Sequence, residues 1–195
     1  MSSAGDRPPR GIIASVALLA FTGSALLALD TAGDAPASTG TGDWPQWLGP
    51  QRNGEALVGA SIAAWPESGP VEVWRRPIGE GFSGFAVVVD RAFTMDMDML
   101  GEYLVCLDTA TGEQRWRLQS GPRYLDSQGG NGPRSTPSVH GGRVFTISAN
   151  GDLLAAEAVT GTLIWRRHLV AEFGAKRPTW GFAGSPLVAG NAVYV

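Results

Sequence analysis

Thiols are almost missing from this chain. Of its 195 residues only Cys106 is a cysteine, so no intrachain disulfide can form, and any metal site must take its other ligands elsewhere. Set in an apolar run, Cys106 reads as a small buried hydrophobe. Histidine is scarce too: His140 and His168 are the only two, and neither lies in a motif with a serine or cysteine nucleophile. Charge of one sign is lacking as well. Fifteen basic against eighteen acidic residues leave a net charge of −3 with no basic block, which argues against nucleic acid as a partner.

Long apolar runs are confined to one place, the stretch from Gly11 to Leu29. It follows a modestly basic start with Arg7 and Arg10, so residues 1–29 read as an export signal or an N-terminal membrane anchor. That expectation places the protein in the periplasm or outside the cell, with residues 11–29 as its only membrane contact. Residues 30–42 are Ala, Thr, Ser, Gly, Asp and Pro without a large apolar side chain, a composition that reads as a disordered linker. Residues 43–195 are then the folded part. They begin with Trp44 and Trp47 among prolines, which suits an extended arm docking its tryptophans on the body.

Glycine, proline and tryptophan are plentiful, at 27, 13 and 7 residues. The first two suit many short strands joined by turns. The third marks a repeat. Leu104-Val-Cys-Leu-Asp-Thr-Ala-Thr-Gly-Glu-Gln-Arg-Trp116 returns as Leu154-Ala-Ala-Glu-Ala-Val-Thr-Gly-Thr-Leu-Ile-Trp165. Asp108, Thr111, Gly112 and Trp116 align with Glu157, Thr160, Gly161 and Trp165. The run Val71 to Arg75 alternates as a strand, and its Trp74 is the expected counterpart of the two later tryptophans. The spacings of 42 and 49 residues suit one four-stranded propeller blade per repeat.

The second copy spells out its blade most clearly. Ser138 to His140, Arg143 to Ala149, Asp152 to Ala158 and Thr162 to Arg166 are the four strands. Asn150-Gly151 is the hairpin signal, with positive φ expected at both residues. The first copy gives Phe85 to Val89, Ala92 to Met95, Tyr103 to Asp108 and Glu113 to Leu118, with a longer turn over residues 96–102. A third unit starts at Ser185 and turns at Gly190-Asn191. The expected fold is all-β: an incomplete β-propeller of four-stranded antiparallel blades, about two plus the start of a third. Isolated terminal blades expose apolar faces and strand edges, so residues 43–195 alone are expected to be aggregation-prone.

The Asp-x-x-Thr-Gly-x-x-x-Trp signature resembles the repeat of the pyrroloquinoline-quinone (PQQ)-type propellers. That superfamily includes quinoprotein alcohol dehydrogenases, the outer-membrane assembly propeller and secreted bacterial PQQ-like repeat proteins. Asp43-Trp-Pro-Gln-Trp-Leu-Gly-Pro50, Gly132-Pro-Arg-Ser-Thr-Pro137 and Trp180-Gly-Phe-Ala-Gly-Ser-Pro186 resemble segments of the last group. The resemblance implies that each repeat tryptophan docks on the neighbouring blade while the Thr-Gly turn ties down the outer strands. It also implies, for the dehydrogenases, a quinone held under an adjacent-cysteine disulfide and a calcium bound by Glu, Asn and Asp. A lone Cys106 departs from that pattern.

Candidate sites are few. Asp96-Met-Asp-Met-Leu-Gly101 begins like a calcium loop, but Leu100 and Leu107 stand where ligands belong, and a solvated hairpin tip is the better reading. Asp108 and Glu157 hold equivalent repeat positions on different blades, so they are structural rather than an acid–base pair. The long lead-in loops, residues 121–136 and 173–184, carry Arg123, Tyr124, Asn131, Arg134, Lys176, Arg177 and Trp180. Propellers bind partners on the end faces where such loops converge. Arg134 and Trp180 are the candidate cofactor or ligand contacts, with bracing of the loops as their alternative role. The expected function is a non-catalytic exported scaffold that engages an envelope protein through these loops and needs no cofactor. The alternative is the N-terminal part of a quinoprotein oxidoreductase using PQQ and calcium.

Overall fold

The computed structural model describes residues 42–56 and 64–195. The expected leader over residues 1–29, and the linker apart from Gly42, lie outside the described residues. The described residues form two antiparallel meanders and the opening of a third. Strands β1 (Ala86–Val88), β2 (Arg91–Met97), β3 (Glu102–Asp108) and β4 (Gln114–Gly121) pair in sequence order as blade 1. Strands β5 (Ser138–His140), β6 (Arg143–Ile147), β7 (Asp152–Glu157) and β8 (Leu163–His168) form blade 2 in the same way. After a five-residue helix, α1 (Leu169–Phe173), strands β9 (Leu187–Ala189) and β10 (Ala192–Tyr194) pair as the start of blade 3. The first strands lie side by side, β5 touching both β1 and β9.

Alternation along each strand sends one set of side chains to each face, and both faces find cover. Ala86, Val88, Phe93, Met95, Leu104 and Cys106 of blade 1 pack on Val139, Val144, Leu154, Ala156 and Ala158 of blade 2, with Trp116 and Leu118 at the margin. Register puts a small residue opposite each repeat tryptophan: Cys106 faces Trp116 and Ala155 faces Trp165, with a bulge one residue further on in both blades. The neighbouring aromatic is matched too. Phe93 and Trp116 ring centroids are 5.8 Å apart, and those of Phe145 and Trp165 are 6.1 Å apart.

Two of the indoles, Trp74 and Trp116, are each seated on the Thr-Gly turn of the blade that follows. Trp116 donates from Nε1 to the Ala158 carbonyl at 3.2 Å, and Trp74 donates to the equivalent Thr109 carbonyl at 2.8 Å. The turn is shaped to receive them. Gly161 and Gly112 have φ of 72° and 71°, and a Cβ on either would lie 2.6 or 2.5 Å from the indole. Asp108 fixes its turn by accepting from the amides of Ala110 and Thr111, while Thr111 Oγ1 accepts from Glu113 N. Arg115, bonded to that carboxylate, and the Thr111 amide hold the Asp108 pKa down at about 2.

The N-terminal arm laces three blades. Asp43 accepts from Val89 N, Trp44 bridges Val87, and the Pro45 carbonyl accepts from Val139 N on β5. Arg52 then donates to the Ser185 and Pro186 carbonyls, just before β9. Of the two tryptophans expected to dock here, Trp44 covers Gly49, whereas Trp47 is 49% exposed.

Four expectations need correction. The run Val71 to Arg75 is extended but joins no strand, because no neighbour lies beside it among the described residues. Asp96 and Met97 continue β2 and are buried, so the hairpin tip is only residues 98–101. At Asn150-Gly151 only the glycine has positive φ, of 102°. Gly151 N donates to Ser148 O, a turn closed by a left-handed residue rather than one with two. Finally, α1 was not expected; it is shorter than the periodicity that reveals helices, and its ends are set by His168 Nδ1 accepting from Ala171 N and by Gly174.

One carboxylate is sealed between blades 1 and 2. Glu102 is fully buried, its Oε2 accepts from Ala149 N at 2.9 Å, and its Oε1 has no partner among the described residues. Burial raises its pKa to about 7, opposed by the Ala149 amide and Arg134 and assisted by Asp152.

Two predictions follow from these contacts. Trp116→Ala is expected to cost about 3 kcal/mol, and Gly161→Ala more than about 1 kcal/mol from its backbone alone. Combined, the two should cost less than their sum by roughly 0.5–3 kcal/mol, because the clash vanishes with the indole. Denaturant titration of the four proteins measures this, and strict additivity would mean the indole does not sit on that turn. For Glu102, the folded protein binds more protons than the unfolded chain between the ordinary value of 4.5 and about 7. Its stability contribution is therefore full below pH 4.5 and lost as pH rises through 7, by about 3 kcal/mol at most. Glu102→Gln should flatten stability across that window, and an unchanged slope would place the titration elsewhere.

Candidate functional site

The register decides which loops share an end of the blades. Glu102, at the start of β3, faces Gly121, at the end of β4. The β2–β3 and β6–β7 turns therefore emerge beside the lead-in loops, and the Thr-Gly turns lie at the opposite end. The lead-in loops meet at Tyr124, which is buried. Its hydroxyl donates to Asp126 Oδ2 at 3.1 Å, and the Thr179 carbonyl of the next lead-in loop lies at 3.4 Å. Burial and the adjacent Asp126 carboxylate raise the phenol's pKa. Asp126 in turn accepts from the amides of Gln128 and Gly129, which lower its pKa, and Asn131 Oδ1 accepts from Asp126 N.

Arg134 is the centre of this network. Its guanidinium lies 4.7 Å from the Tyr124 ring centroid and 5.4 Å from that of Phe82. Nη1 donates to the Gly132 carbonyl at 2.6 Å, and Nη2 donates to those of Gly129 at 3.1 Å and Gly130 at 2.6 Å. A flat fork with fixed donors is suited to gathering several carbonyls at once. Glycine is required around it: a Cβ on Gly129 would lie 2.9 Å from Trp180, and one on Gly130 2.6 Å from Phe82. Phe82 and Trp180 thus flank the Arg134 loop while remaining 62% and 55% exposed.

Arg177 extends the site sideways. It donates to Asn150 Oδ1 at 3.2 Å and stands 6.0 Å from the Tyr124 centroid. Asn150 donates onward to the Pro122 carbonyl. Pro122, Asn150, His168, Val170 and Arg177 line a shallow cleft of about 420 Å³. Phe82 and Leu125, both exposed, belong to this face and were not singled out by sequence reasoning. Their only signal was position, each lying in a segment that leads into a blade.

The remaining candidates are dispersed. Asp96 and Asp98 both bind Arg117, at 2.9 and 2.7 Å, and Asp98 also caps the tip by accepting from Leu100 N. Arg117 is stacked 3.5 Å from the Tyr103 centroid. Among the described residues no three His, Cys, Asp or Glu side chains converge as a metal site. Asp108 and Glu157 lie on different blades, each beside its own turn. His140 is exposed, and His168 caps α1. Cys106 is buried against Trp116, which pushes its thiol pKa up to about 12.

Arg134→Ala should loosen the lead-in loop and cost about 1–3 kcal/mol, as for a charged group hydrogen-bonded to partly buried carbonyls. Arg134→Lys should recover little of it, since an ammonium cannot span the three carbonyls while stacked between two rings. Amide hydrogen exchange over residues 126–134 reads the loosening directly, and full rescue by lysine would mean that charge alone is at work.

Residues 100–195 match a family model described as outer membrane protein assembly factor BamB. No curated protein matches the chain. Among solved structures the chain is similar to BamB from Moraxella catarrhalis, at 17% identity and a TM-score of 0.43, over 62% of this chain and 35% of that one. It is similar to quinohemoprotein alcohol dehydrogenase from Comamonas testosteroni at 20% identity and a TM-score of 0.46, over 60% and 17% of the two chains. For a europium-containing methanol dehydrogenase the values are 20% and 0.41, over 56% and 19%. The chain thus spans between 17% and 35% of the length of these proteins. The repeat carried by residues 100–195 is thus similar to that of the PQQ-like repeat β-propeller family.

Proposed function

We propose that the protein is an exported, non-catalytic propeller scaffold that presents its lead-in loops to another protein of the cell envelope. One observation carries this reading: Phe82 and Trp180 are held exposed on either side of a loop that Arg134 has already fixed. Aromatic side chains ordered before contact lose little freedom on binding, which is what a protein-binding surface requires. The family description, an outer membrane assembly factor, supports an envelope partner and an envelope location. No helix among the described residues is long and apolar enough to cross a membrane, so membrane attachment rests on residues 11–29, which lie outside them. The geometry favours bracing over cofactor binding for Arg134, since three of its donor bonds end on loop carbonyls. Trp180 is the contact residue of the pair. Under the oxidoreductase alternative the adjacent-cysteine pair would have to come from polypeptide other than residues 1–195, whose one thiol, Cys106, is buried opposite Trp116.

The test is a photo-crosslinking residue at position 180 of the full chain in intact cells. It should yield a discrete protein adduct that Phe82→Ser weakens. Addition of PQQ and calcium to the same protein should produce neither bound quinone absorbance nor dye reduction. Quinone binding with no adduct would replace the scaffold reading with the oxidoreductase one.

A further inference from the structure

The cleft beside the lead-in loops gathers cations in a chain that is acidic as a whole. Residues 163–180 hold Arg166, Arg167, Lys176 and Arg177 against Glu172 alone, although acids outnumber bases over the full sequence. Two of these guanidiniums reach the cleft from different elements. Arg177 lines it from the second lead-in loop. Arg166 stands two residues before the lining His168, on the same face of β8, and donates to the carbonyl of Gln119, close in sequence to the lining Pro122. Both arginines are exposed. Each is steadied by a neutral oxygen, the Gln119 carbonyl or Asn150 Oδ1, and among the described residues neither meets a carboxylate. The nearby acids are engaged elsewhere. Asp152, opposite His168, is buried and accepts from Ser148 Oγ at 3.0 Å. Glu172 accepts from His168 N at 2.7 Å and faces Arg167 at 3.7 Å. Arg166 and Arg177 thus hold most of their N–H donors in fixed positions without an opposite charge.

We propose that this cleft binds an acidic segment of the partner protein, a short stretch in which at least two carboxylates stand beside an apolar side chain. The inference rests on the scaffold reading and names what the partner brings to it. A carboxylate matches the guanidinium fork in both shape and charge. Two arginines on separate elements call for two carboxylates rather than one. Pro122 and Val170, in the same lining, give an apolar side chain of the segment something to cover. A single phosphate offers one anionic centre and nothing for those two residues. A polyphosphate backbone would meet a chain of net charge −3. Arg177, 6.0 Å from the Tyr124 ring centroid, also ties the cleft to the loop network that sets Trp180, so one partner can touch both.

Fluorescence anisotropy with the full chain tests the cleft, using a labelled peptide, Asp-Leu-Asp-Leu-Asp, and its counterpart with asparagine for each aspartate. The acidic peptide should bind and the asparagine peptide should not, and binding should weaken as salt is raised. Arg177→Glu and Arg166→Glu should each weaken the acidic peptide by roughly tenfold or more. The second variant leaves the Asn150 contact of Arg177 in place, so a loss common to both is a loss of charge rather than of loop structure. Inorganic phosphate should fail to displace the peptide. In cells, Arg177→Glu should weaken the adduct formed at position 180. Equal binding of the two peptides, or full binding by both variants, would overturn the inference. So would absence of peptide binding, and an adduct that persists in Arg177→Glu would then leave the scaffold reading standing. Displacement by phosphate would make this a small-anion site and overturn the acidic segment. Peptide binding without any adduct in the otherwise unchanged chain would overturn its source in a partner protein.

Discussion

An indole lying on a glycine is the contact from which the rest of this structure is built. A four-stranded meander has two faces and cannot bury both by itself. Trp116, on the fourth strand of blade 1, reaches across to the Thr-Gly turn of blade 2, hydrogen-bonds the Ala158 carbonyl there and excludes water from the outer seam between them. Large aromatics contribute area and one directional bond at once. The seam on the inner side needs no such device, since the short first strands are already neighbours. Packing from both ends thus fixes how successive blades are set against one another.

That arrangement separates support from display. The Thr-Gly turns, where Asp108 and Arg115 neutralise one another, lie at one end. At the other end the chain must travel from the outer strand of one blade to the inner strand of the next, and the long lead-in loops are the consequence. Loops of that length carry backbone groups that need partners. Arg134, Asp126 and Asn131 supply them, which converts a flexible crossing into a shaped surface. Glycines at 129 and 130 allow the aromatics to lie close, so the surface is thin and its exposed rings are set by the loop beneath. The function proposed for the protein follows from this end alone.

Much of the fold was legible in the chain because the repeat states the same constraint twice. Trp116 and Trp165 recur at one phase, each four residues past a Thr-Gly turn, which marks the repeat, and the strands of blade 2 fall close to where alternation places them. What sequence could not show depended on neighbours. Val71 to Arg75 alternates like any strand, yet a strand exists only when another lies beside it. Asp96 looked like a turn residue because its partner, Arg117, is distant in sequence. Phe82 carried no motif at all, and its place in the site arises from the packing of Gly130 against its ring. Glu102 offered no sign of burial, since a glutamate opening a strand ordinarily faces water.

The arm has a temporal consequence. Its first residues emerge before any blade exists, but their partners are spread along the chain: Val89 for Asp43, Val139 for Pro45, and finally Ser185 and Pro186 for Arg52. Contacts that span such long stretches of chain close late, after the intervening segments have ordered. The first segment made is thus among the last to settle. Until blade 3 begins to form, the guanidinium of Arg52 lacks the Ser185 and Pro186 carbonyls, and the inner rim of the nascent blades stands open.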